Sequence, residues 1–463
     1  MNLWLKNNVG NRTIEWFLAV AILSATAYSL GYLWKWSHLP QPFFYEPYDI
    51  YADWFNTAYW ARDKGTYDSW TTLYPPVSFV FLRVLTLDQC YPRVRAYETS
   101  PGLAARDCDW LGLSTLWGIF LLNILLVYLC FRKIDKSTAI PRTICVAIGW
   151  PMLNGLERGN LMLVAFTCVV LAFGPLVKSA RLRWLAAGLA VNFKVYLIAA
   201  IVPLLIKRRW LWVEGALLAT IAVYVVSFAI LGRGSPVEIF NNLRSWSSFG
   251  AGSPLDMWSA TTYKAAIGVL ESETFPAFLI LGSRLQEFLL FLLPFLQHSV
   301  QMTIVAAVAL AWTRPEVVPP WRLVGLGTMM ALITSEAGGY TTAFITFFVM
   351  MEPWRGVGRK YAIVMSYILA IAIDIKVDQV EPVVRDTYFR DSTTIVTFYL
   401  TAMPFARPFL IMTIPFALAC VTIREVWFDI RRQGWRHRCR LRRDAPIMRG
   451  EGDYVVAGDR RTT

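Results

Sequence analysis

The chain has 463 residues, of which 56% are hydrophobic and 17% are charged, so it is too apolar for an ordinary soluble domain and too long for one membrane span. A net charge of +13 could suggest a nucleic-acid partner, but Lys and Arg concentrate in short clusters between apolar segments. Such clusters are typical of the cytoplasmic loops of polytopic membrane proteins. The composition therefore predicts membrane lipids as partners and no nucleic acid.

The first apolar segment, 16–34, is long enough to span a membrane and lacks a small-residue cleavage site, so we predict a first membrane helix. Residues 35–111, here called the first loop, follow it. Seven basic and nine acidic residues make this loop typical of the non-cytoplasmic side. Cys90 and Cys108 lie in it and could form a disulfide in an oxidising compartment, although their spacing alone leaves the pairing open.

The later apolar segments predict an all-α polytopic membrane protein with about ten to twelve transmembrane helices. Residues 276–289 are predicted as an interfacial helix, and a short outer turn is expected near 335–340. Residues 1–430 are expected to form one membrane domain, and 431–463 a basic cytoplasmic tail. The predicted spans with explicit bounds are 113–131, 143–153, 161–177, 211–231, 290–312, 361–375 and 407–427.

The segment RWLAAGLAVNFKVYLIAAIVPLLIKRR carries basic clusters at both ends, although a single crossing would place its ends on opposite sides. We therefore predict two short or broken helices that meet near Asn192, Phe193 and Lys194. Non-helical backbone and a charge at that depth are tolerated only against protein or a wet cavity. This break is consequently a candidate wall of a functional site.

Carboxylates are the side chains best suited to acid–base chemistry in this sequence. The three histidines are scattered, so we predict no metal site, no cofactor and no serine triad. Polar groups expected on the outer face include Asp53, Glu157, Arg158 and Lys194. Singly, each has a structural explanation: Asp53 could cap a helix, Arg158 could reach toward head groups, and Lys194 could pair with Glu157. Together they place carboxylates opposite cations, which suits a reaction that releases a lipid-borne phosphate.

The order of three motifs resembles glycosyltransferase family 87 and its relatives in the C-type superfamily of membrane glycosyltransferases (GT-C). The motifs are DWFNTAYW…GTY…LYPP, LERGNLMLVAF and LAAGLAVNFKVYLIAAIVPLLIKRRW, spread over roughly residues 45 to 210. The resemblance implies a GT-C-like fold with a long catalytic first loop. It also implies a polyprenyl-phosphate-linked sugar donor, a glycolipid or glycan acceptor, and a multi-pass protein of the bacterial inner membrane with a periplasmic active site.

Residue by residue, the resemblance makes Asp53 the expected catalytic base, with Asp49 as a rival that would share its helical face if the stretch is helical. Glu157 stands where relatives carry Asp, and Ala337-Gly338-Gly339-Tyr340 stands where they carry Trp-x-His-Tyr. The remaining residues expected to bind substrate or lipid phosphate are Asn56, Tyr74, Arg158, Asn160, Lys194, Arg244 and Tyr340.

Two other functions remain open from the sequence. A flippase for lipid-linked glycans would more often show internal repeats, which are not apparent here. A polysaccharide polymerase would place key arginines in large later outer loops, where Arg244, Arg385 and Arg390 are found. Neither the sugar nor the acceptor follows from one sequence.

Overall fold

A computed structural model describes residues 2–44, 46–91, 100–248, 257–273, 277–389 and 392–435. It is 70% helix and 4% strand, which agrees with the predicted helical class. The helices are α1 (Asn2–Trp36), α2 (Ala52–Trp60), α3 (Pro76–Val84), α4 (Trp110–Ile134), α5 (Ala139–Thr143), α6 (Trp150–Arg158), α7 (Met162–Phe173), α8 (Ala180–Phe193), α9 (Ile198–Ile201), α10 (Pro203–Ile206), α11 (Trp210–Leu231), α12 (Pro236–Ser248), α13 (Lys264–Leu270), α14 (Ala277–Leu281), α15 (Ser283–Ala311), α16 (Pro320–Thr334), α17 (Thr342–Val349), α18 (Val357–Leu369) and α19 (Met403–Gln433). The strands are β1 (Lys376–Gln379), β2 (Val383–Thr387), β3 (Ser392–Val396) and β4 (Tyr399–Thr401).

Five helices in the described part of the chain are long and apolar enough to cross a bilayer, which needs about 20 residues. They are α4, α11, α15, α19 and the 13–36 part of α1. In α11 only 17% of the most apolar stretch is buried, so most of its apolar surface is available to lipid. The chain therefore has the features of an α-helical membrane protein.

The other predicted spans are shorter or interrupted, so length alone does not support ten to twelve spanning helices. The 161–177 segment contains α7, which has 12 residues, and the 361–375 segment contains the end of α18, which has 13. The structure also corrects two predictions. The 143–153 span is divided by a π-helical turn at Ile144–Ile148, next to Gly149 and Pro151. In the described part of 276–289, from residue 277, the short α14 is followed by α15, which begins at Ser283 and continues to Ala311 in place of a separate interfacial helix.

The predicted break at Asn192 to Lys194 is confirmed. Helix α8 ends at Phe193, Lys194 is extended, and a 3₁₀ turn at Val195–Leu197 precedes α9. Asn192 donates from its side-chain amide to the carbonyl oxygens of Gly188 and Thr220, which ties the end of α8 to α11. The Lys194 amide still donates to the Ala190 carbonyl at 2.9 Å, and the extended conformation of this residue places its ammonium over the Tyr74 ring of the first loop.

Two antiparallel strand pairs, β1 with β4 and β2 with β3, occupy the loop after α18. They cover the start of the first loop. The side chain of Gln41 donates to the Tyr399 carbonyl at 2.8 Å and accepts from the Tyr399 amide at 3.1 Å. Thr387 and Thr394 donate to the carbonyl oxygens of Ser37 and Trp36. Residues far apart in sequence thus close one end of the helix bundle.

Candidate active site

Helix α2 begins beside an irregular turn that carries both predicted carboxylates. Pro47–Asp49 form a 3₁₀ turn, and Tyr51 adopts the left-handed conformation (φ 63°) before α2 starts at Ala52. The stretch from Asp49 to Asp53 is therefore not one helix, and the expectation that the two aspartates share a helical face is wrong. They converge for another reason, because both face the same arginine.

Arg158, the last residue of α6, lies between the two aspartates. Its Nη2 is 3.2 Å from Oδ1 of Asp53, and its Nη1 is 3.8 Å from Oδ2 of Asp49. The guanidinium also lies 4.3 Å above the Phe44 ring, a cation–π contact. The arginine side chain is 13% exposed, whereas those of Asp49 and Asp53 are 29% and 27% exposed. The carboxylates consequently remain open to a ligand while the cation that orients them is covered.

Asn160 completes the support of Asp53. Its amide nitrogen donates to Oδ2 of Asp53 at 2.6 Å and reaches the Tyr74 hydroxyl at 3.5 Å, while its amide oxygen accepts from the Met162 amide at 2.9 Å. Asn160 is 1% exposed. This residue therefore links the first loop to the start of α7, and both oxygens of Asp53 carry one donor each.

Gly159 allows this arrangement. It ends α6 in the left-handed conformation (φ 65°), and a Cβ atom there would lie 2.9 Å from the Cβ of Trp54 and 3.0 Å from the Cα of Tyr51. Only glycine suits such a backbone and such a close approach. The Tyr51 amide donates to the Glu157 carbonyl at 2.7 Å, so α6 and the turn before α2 are joined directly.

Lys194, Tyr74 and Tyr340 form a second group of side chains in the site. The Lys194 ammonium lies 4.8 Å from the centre of the Tyr74 ring and 5.5 Å from that of Tyr340. It also interacts electrostatically with Asp53. Tyr340 lies in the 3₁₀ turn Gly339–Thr341, at the predicted outer turn. The site therefore carries two cations, Arg158 in contact with the Asp53 carboxylate and Lys194 over the Tyr74 and Tyr340 rings.

Burial changes the pKa of two acids at the site, Asp49 and Glu157. It raises the pKa of Asp49, an effect that Arg158 opposes and the Asp53 charge reinforces. Burial also raises the pKa of Glu157 to about 7, against the opposing influence of Arg158 and the amide of Asn154. A 2.9 Å hydrogen bond from Asn154 holds the Glu157 carboxyl. Glu157 is thus a buried carboxyl next to the site, held by Asn154.

Two predicted site residues lie elsewhere. Asn56 is buried, and its amide oxygen accepts from the Gly102 amide at 2.9 Å, so it fastens α2 to a later part of the first loop. Arg244 is exposed on α12. Of the arginines considered for a polymerase, Arg385 pairs with Glu46 at 3.4 Å, and Arg390 lies outside the described residues.

The open question about the cysteines is answered, since Cys90 and Cys108 are joined by a disulfide within the first loop. Sequence reasoning missed Phe44 and Arg106, which contact Arg158 and the Asp49 turn respectively. Their sequence positions gave no signal, because neither belongs to a motif of the candidate site. Within the described ranges, no group of three or more His, Cys, Asp or Glu side chains is placed to hold a metal ion.

Comparisons with protein-family models, with curated proteins and with solved structures find no match for this chain. The chemistry of the site therefore has to be argued from its own residues. A partly exposed carboxylate with two hydrogen-bond donors can accept a proton, and the two cations of the site can stabilise a phosphate as negative charge develops on it.

Proposed function

We propose that this protein is a membrane glycosyltransferase that moves a hexose or pentose from a polyprenyl-phosphate donor to a glycolipid or polysaccharide acceptor. The observation that carries the proposal is the ion pair of the Asp53 carboxylate with Arg158, together with Lys194 over the ring of Tyr74, whose hydroxyl contacts the Asn160 amide that holds Asp53. A polyprenyl chain would lie in the bilayer beside the apolar helices, and its phosphate would lie at the surface beside the two cations.

The reaction would be a single inverting displacement. The acceptor hydroxyl oxygen attacks the anomeric carbon, its proton passes to the Asp53 carboxylate, and the bond between that carbon and the phosphate oxygen breaks. The electron pair of the broken bond leaves with polyprenyl phosphate. Arg158 and Lys194 stabilise this charge, because charge-assisted hydrogen bonds to phosphate are the strong ones. The chain's own side chains therefore supply a base and a cradle for the leaving group.

The fold and the charge pattern support a location in the bacterial inner membrane, with the site on the outer face. The acidic first loop carries the site, whereas the last turn of α19 carries Arg431 and Arg432 and leads into the arginine-rich tail. By the positive-inside rule the tail end is cytoplasmic. Lipid-linked sugars on the opposite face would then reach Asp53 directly from the bilayer.

The test is transfer of radiolabelled sugar from polyprenyl-phosphate donors in membranes that carry the wild type, Asp53→Asn, Asp49→Asn or the control Asp68→Asn. Asp68 is exposed in the same loop. We expect Asp53→Asn to lower transfer by about 100-fold or more, since general-base catalysis contributes about 10²- to 10⁴-fold. Asp68→Asn should transfer as the wild type does.

Loss with only Asp49→Asn would assign the base to Asp49 instead. Wild-type membranes that transfer nothing from a broad panel of donors and acceptors, yet move lipid-linked glycan across the bilayer, would exclude the transferase and favour a flippase.

A further inference from the structure

The turn that carries Asp49 has an unfavourable backbone conformation, which contacts from residues outside the turn must stabilise. Ile50 is extended and Tyr51 has a positive φ, which a bulky residue adopts rarely. Such a conformation persists only where surrounding contacts determine it. At its Asp53 end the turn is tied to Arg158, Asn160 and the Glu157 carbonyl. At its Asp49 end Arg158 reaches the Asp49 carbonyl oxygen only at 3.5 Å and the carboxylate at 3.8 Å, so this end needs a second, closer support.

Arg106 supplies that support. Its Nη1 donates to the carbonyl oxygens of Tyr48 and Ile50, the two neighbours of Asp49, and the bond to Ile50 measures 2.8 Å. The guanidinium lies 4.5 Å from the Tyr48 ring and 4.3 Å from the Tyr388 ring. Arg106 is 3% exposed. One nitrogen atom therefore holds the backbone on both sides of Asp49, and two aromatic rings fix the plane of the guanidinium.

The segment that carries Arg106 is itself anchored. Arg106 lies in the 3₁₀ turn Leu103–Asp107, and the next residue but one is Cys108, which is bonded to Cys90. Asp109 accepts from the Tyr91 hydroxyl at 2.6 Å and from the Gly112 amide at 2.9 Å. Covalent and hydrogen-bonded ties thus flank Arg106, and the disulfide joins its segment to the preceding part of the loop.

We propose that Arg106 is a positioning residue, which holds the turn so that the carboxylates of Asp49 and Asp53 both face Arg158. We propose further that the Cys90–Cys108 disulfide keeps Arg106 in place. The proposal rests on the function proposed above, because it assigns Arg106 a part in that transfer reaction. Arg106 itself contacts neither Asp53 nor Arg158 in the hydrogen bonds and ring contacts of the described residues. It acts on Asp53 through the backbone of the turn, and its charge also favours the ionised form of Asp49.

The variants are Arg106→Gln, which removes the charge, Arg106→Lys, which keeps the charge but loses the planar fork, and the control Arg62→Gln. Arg62 also lies in the first loop, donates to the carbonyls of Ala58 and Thr86, and lies 4.5 Å from the Tyr91 ring. Like Arg106 it donates to carbonyl oxygens and lies over an aromatic ring, and unlike Arg106 it also pairs with Asp88, but none of these contacts includes the Asp49 turn.

Turnover and donor affinity should respond differently to substitution of Arg106. A small misplacement of a catalytic group can cost about 10²-fold in rate, so we expect Arg106→Gln to lower kcat by about 10- to 100-fold with little change in the donor KM. Arg106→Lys should lie between Arg106→Gln and the wild type, and Arg62→Gln should keep the wild-type kcat. An unchanged kcat in Arg106→Gln, or an equal loss in Arg62→Gln, would overturn the proposal.

Hydrogen exchange of peptides that cover residues 46–55 provides a readout independent of activity. We expect faster exchange there in Arg106→Gln, and also in wild type after reduction of the disulfide, which a reductant can reach at the exposed Cys108. Peptides from α11 should be unaffected. If the wild type transfers no sugar, the proposed function fails while exchange still decides whether Arg106 holds the turn. Should Arg106→Gln not fold, Arg106→Lys and the reduced wild type carry the same test, and unchanged exchange in both would overturn the proposal.

Discussion

The contacts of single residues explain why Asp49 and Asp53, although close together, need not have the same chemical role. Both oxygens of Asp53 accept a hydrogen bond, from Arg158 and Asn160, so its orientation is fixed. Asp49 has a longer ion pair with Arg158, and burial raises its pKa. An oriented carboxylate favours Asp53 as base, because alignment with the reacting atoms contributes to rate. Asp49, which Arg158 holds more weakly, adds a second negative charge beside the shared arginine.

Glu157 gives a prediction at the same scale. Its carboxyl has a pKa of about 7 in the folded protein, above the ordinary value of 4.5, so folding favours its protonated form. The folded state then binds more protons than the unfolded state between these values, and this residue costs stability as the pH rises through that range. Glu157→Gln should therefore raise the thermal unfolding midpoint at pH 8 by about 2 °C or more relative to wild type.

The same comparison well below pH 4.5 is the control for Glu157→Gln, because the carboxyl is then protonated in both states and the difference should nearly vanish. The measurement is tryptophan fluorescence during heating at several pH values. A Glu157→Gln protein that is less stable than wild type at pH 8 would show that the glutamate is retained as a charged partner of Arg158.

At the scale of elements, the junction between α6 and α2 depends on Gly159. We expect Gly159→Ala to destabilise the protein by about 1–3 kcal/mol, since it combines a strained backbone with contacts at 2.9 Å and 3.0 Å to Trp54 and Tyr51. It should also lower transfer activity, because the clash pushes Arg158 away from α2. Chemical denaturation and the transfer assay measure the two effects.

Gly232 provides the matched control for Gly159→Ala. It also has a positive φ, of 75°, at the end of a helix, but a Cβ there would meet nothing within 4 Å. Gly232→Ala should therefore show the backbone cost without the clash and keep its activity. Equal loss of stability and of activity in the two variants would mean that the close approach at Gly159 is unimportant.

The sequence predicted an element best where a pattern of residues close together in the chain determines that element. Basic clusters at both ends of one apolar segment predicted the break at Lys194, and ordered motifs brought together Asp53, Arg158, Asn160 and Tyr340 in one hypothesis. The strands after α18 and the π turn before α6 escaped prediction, because tertiary contacts with the first loop and a local helix defect set them. Arg106 was missed for a related reason, since its partners lie more than 50 residues away in the chain.

At the scale of the whole molecule, helix α19 connects the candidate site with a buried ion-pair network further along the helix. Arg407 near its start lies 4.1 Å above the Trp150 ring and donates to the Trp258 carbonyl, and Trp258 in turn contacts Phe44 of the candidate site. Glu425, 18 residues later, pairs with Arg322 in a buried ionic network. Eighteen helical residues rise about 27 Å, close to the thickness of a hydrocarbon core. The site and the network are therefore separated along α19 by about the thickness of a hydrocarbon core.

A second buried ion pair joins distant parts of the bundle. Arg142 donates to both carboxylate oxygens of Glu15, at 2.9 Å and 3.0 Å, and to the carbonyl oxygens of Met350 and Glu352. Tyr367 donates to the same glutamate at 3.1 Å. Glu15 is 0% and Arg142 3% exposed. One ion pair thus holds α1, α5, the turn after α17 and α18 together.

Removal of one partner should be far more damaging than removal of both. We expect Glu15→Ala to cost about 3–5 kcal/mol of stability, because it leaves the Arg142 charge buried without its carboxylate. The double variant Glu15→Leu with Arg142→Met should recover much of that loss, since apolar side chains of similar volume carry no desolvation penalty there. A double-mutant cycle on unfolding free energies, completed with the single variants Glu15→Leu and Arg142→Met, measures the coupling. Additive losses would mean that the two charges act independently, and that the carbonyl oxygens at 350 and 352 suffice to stabilise the arginine within the bundle.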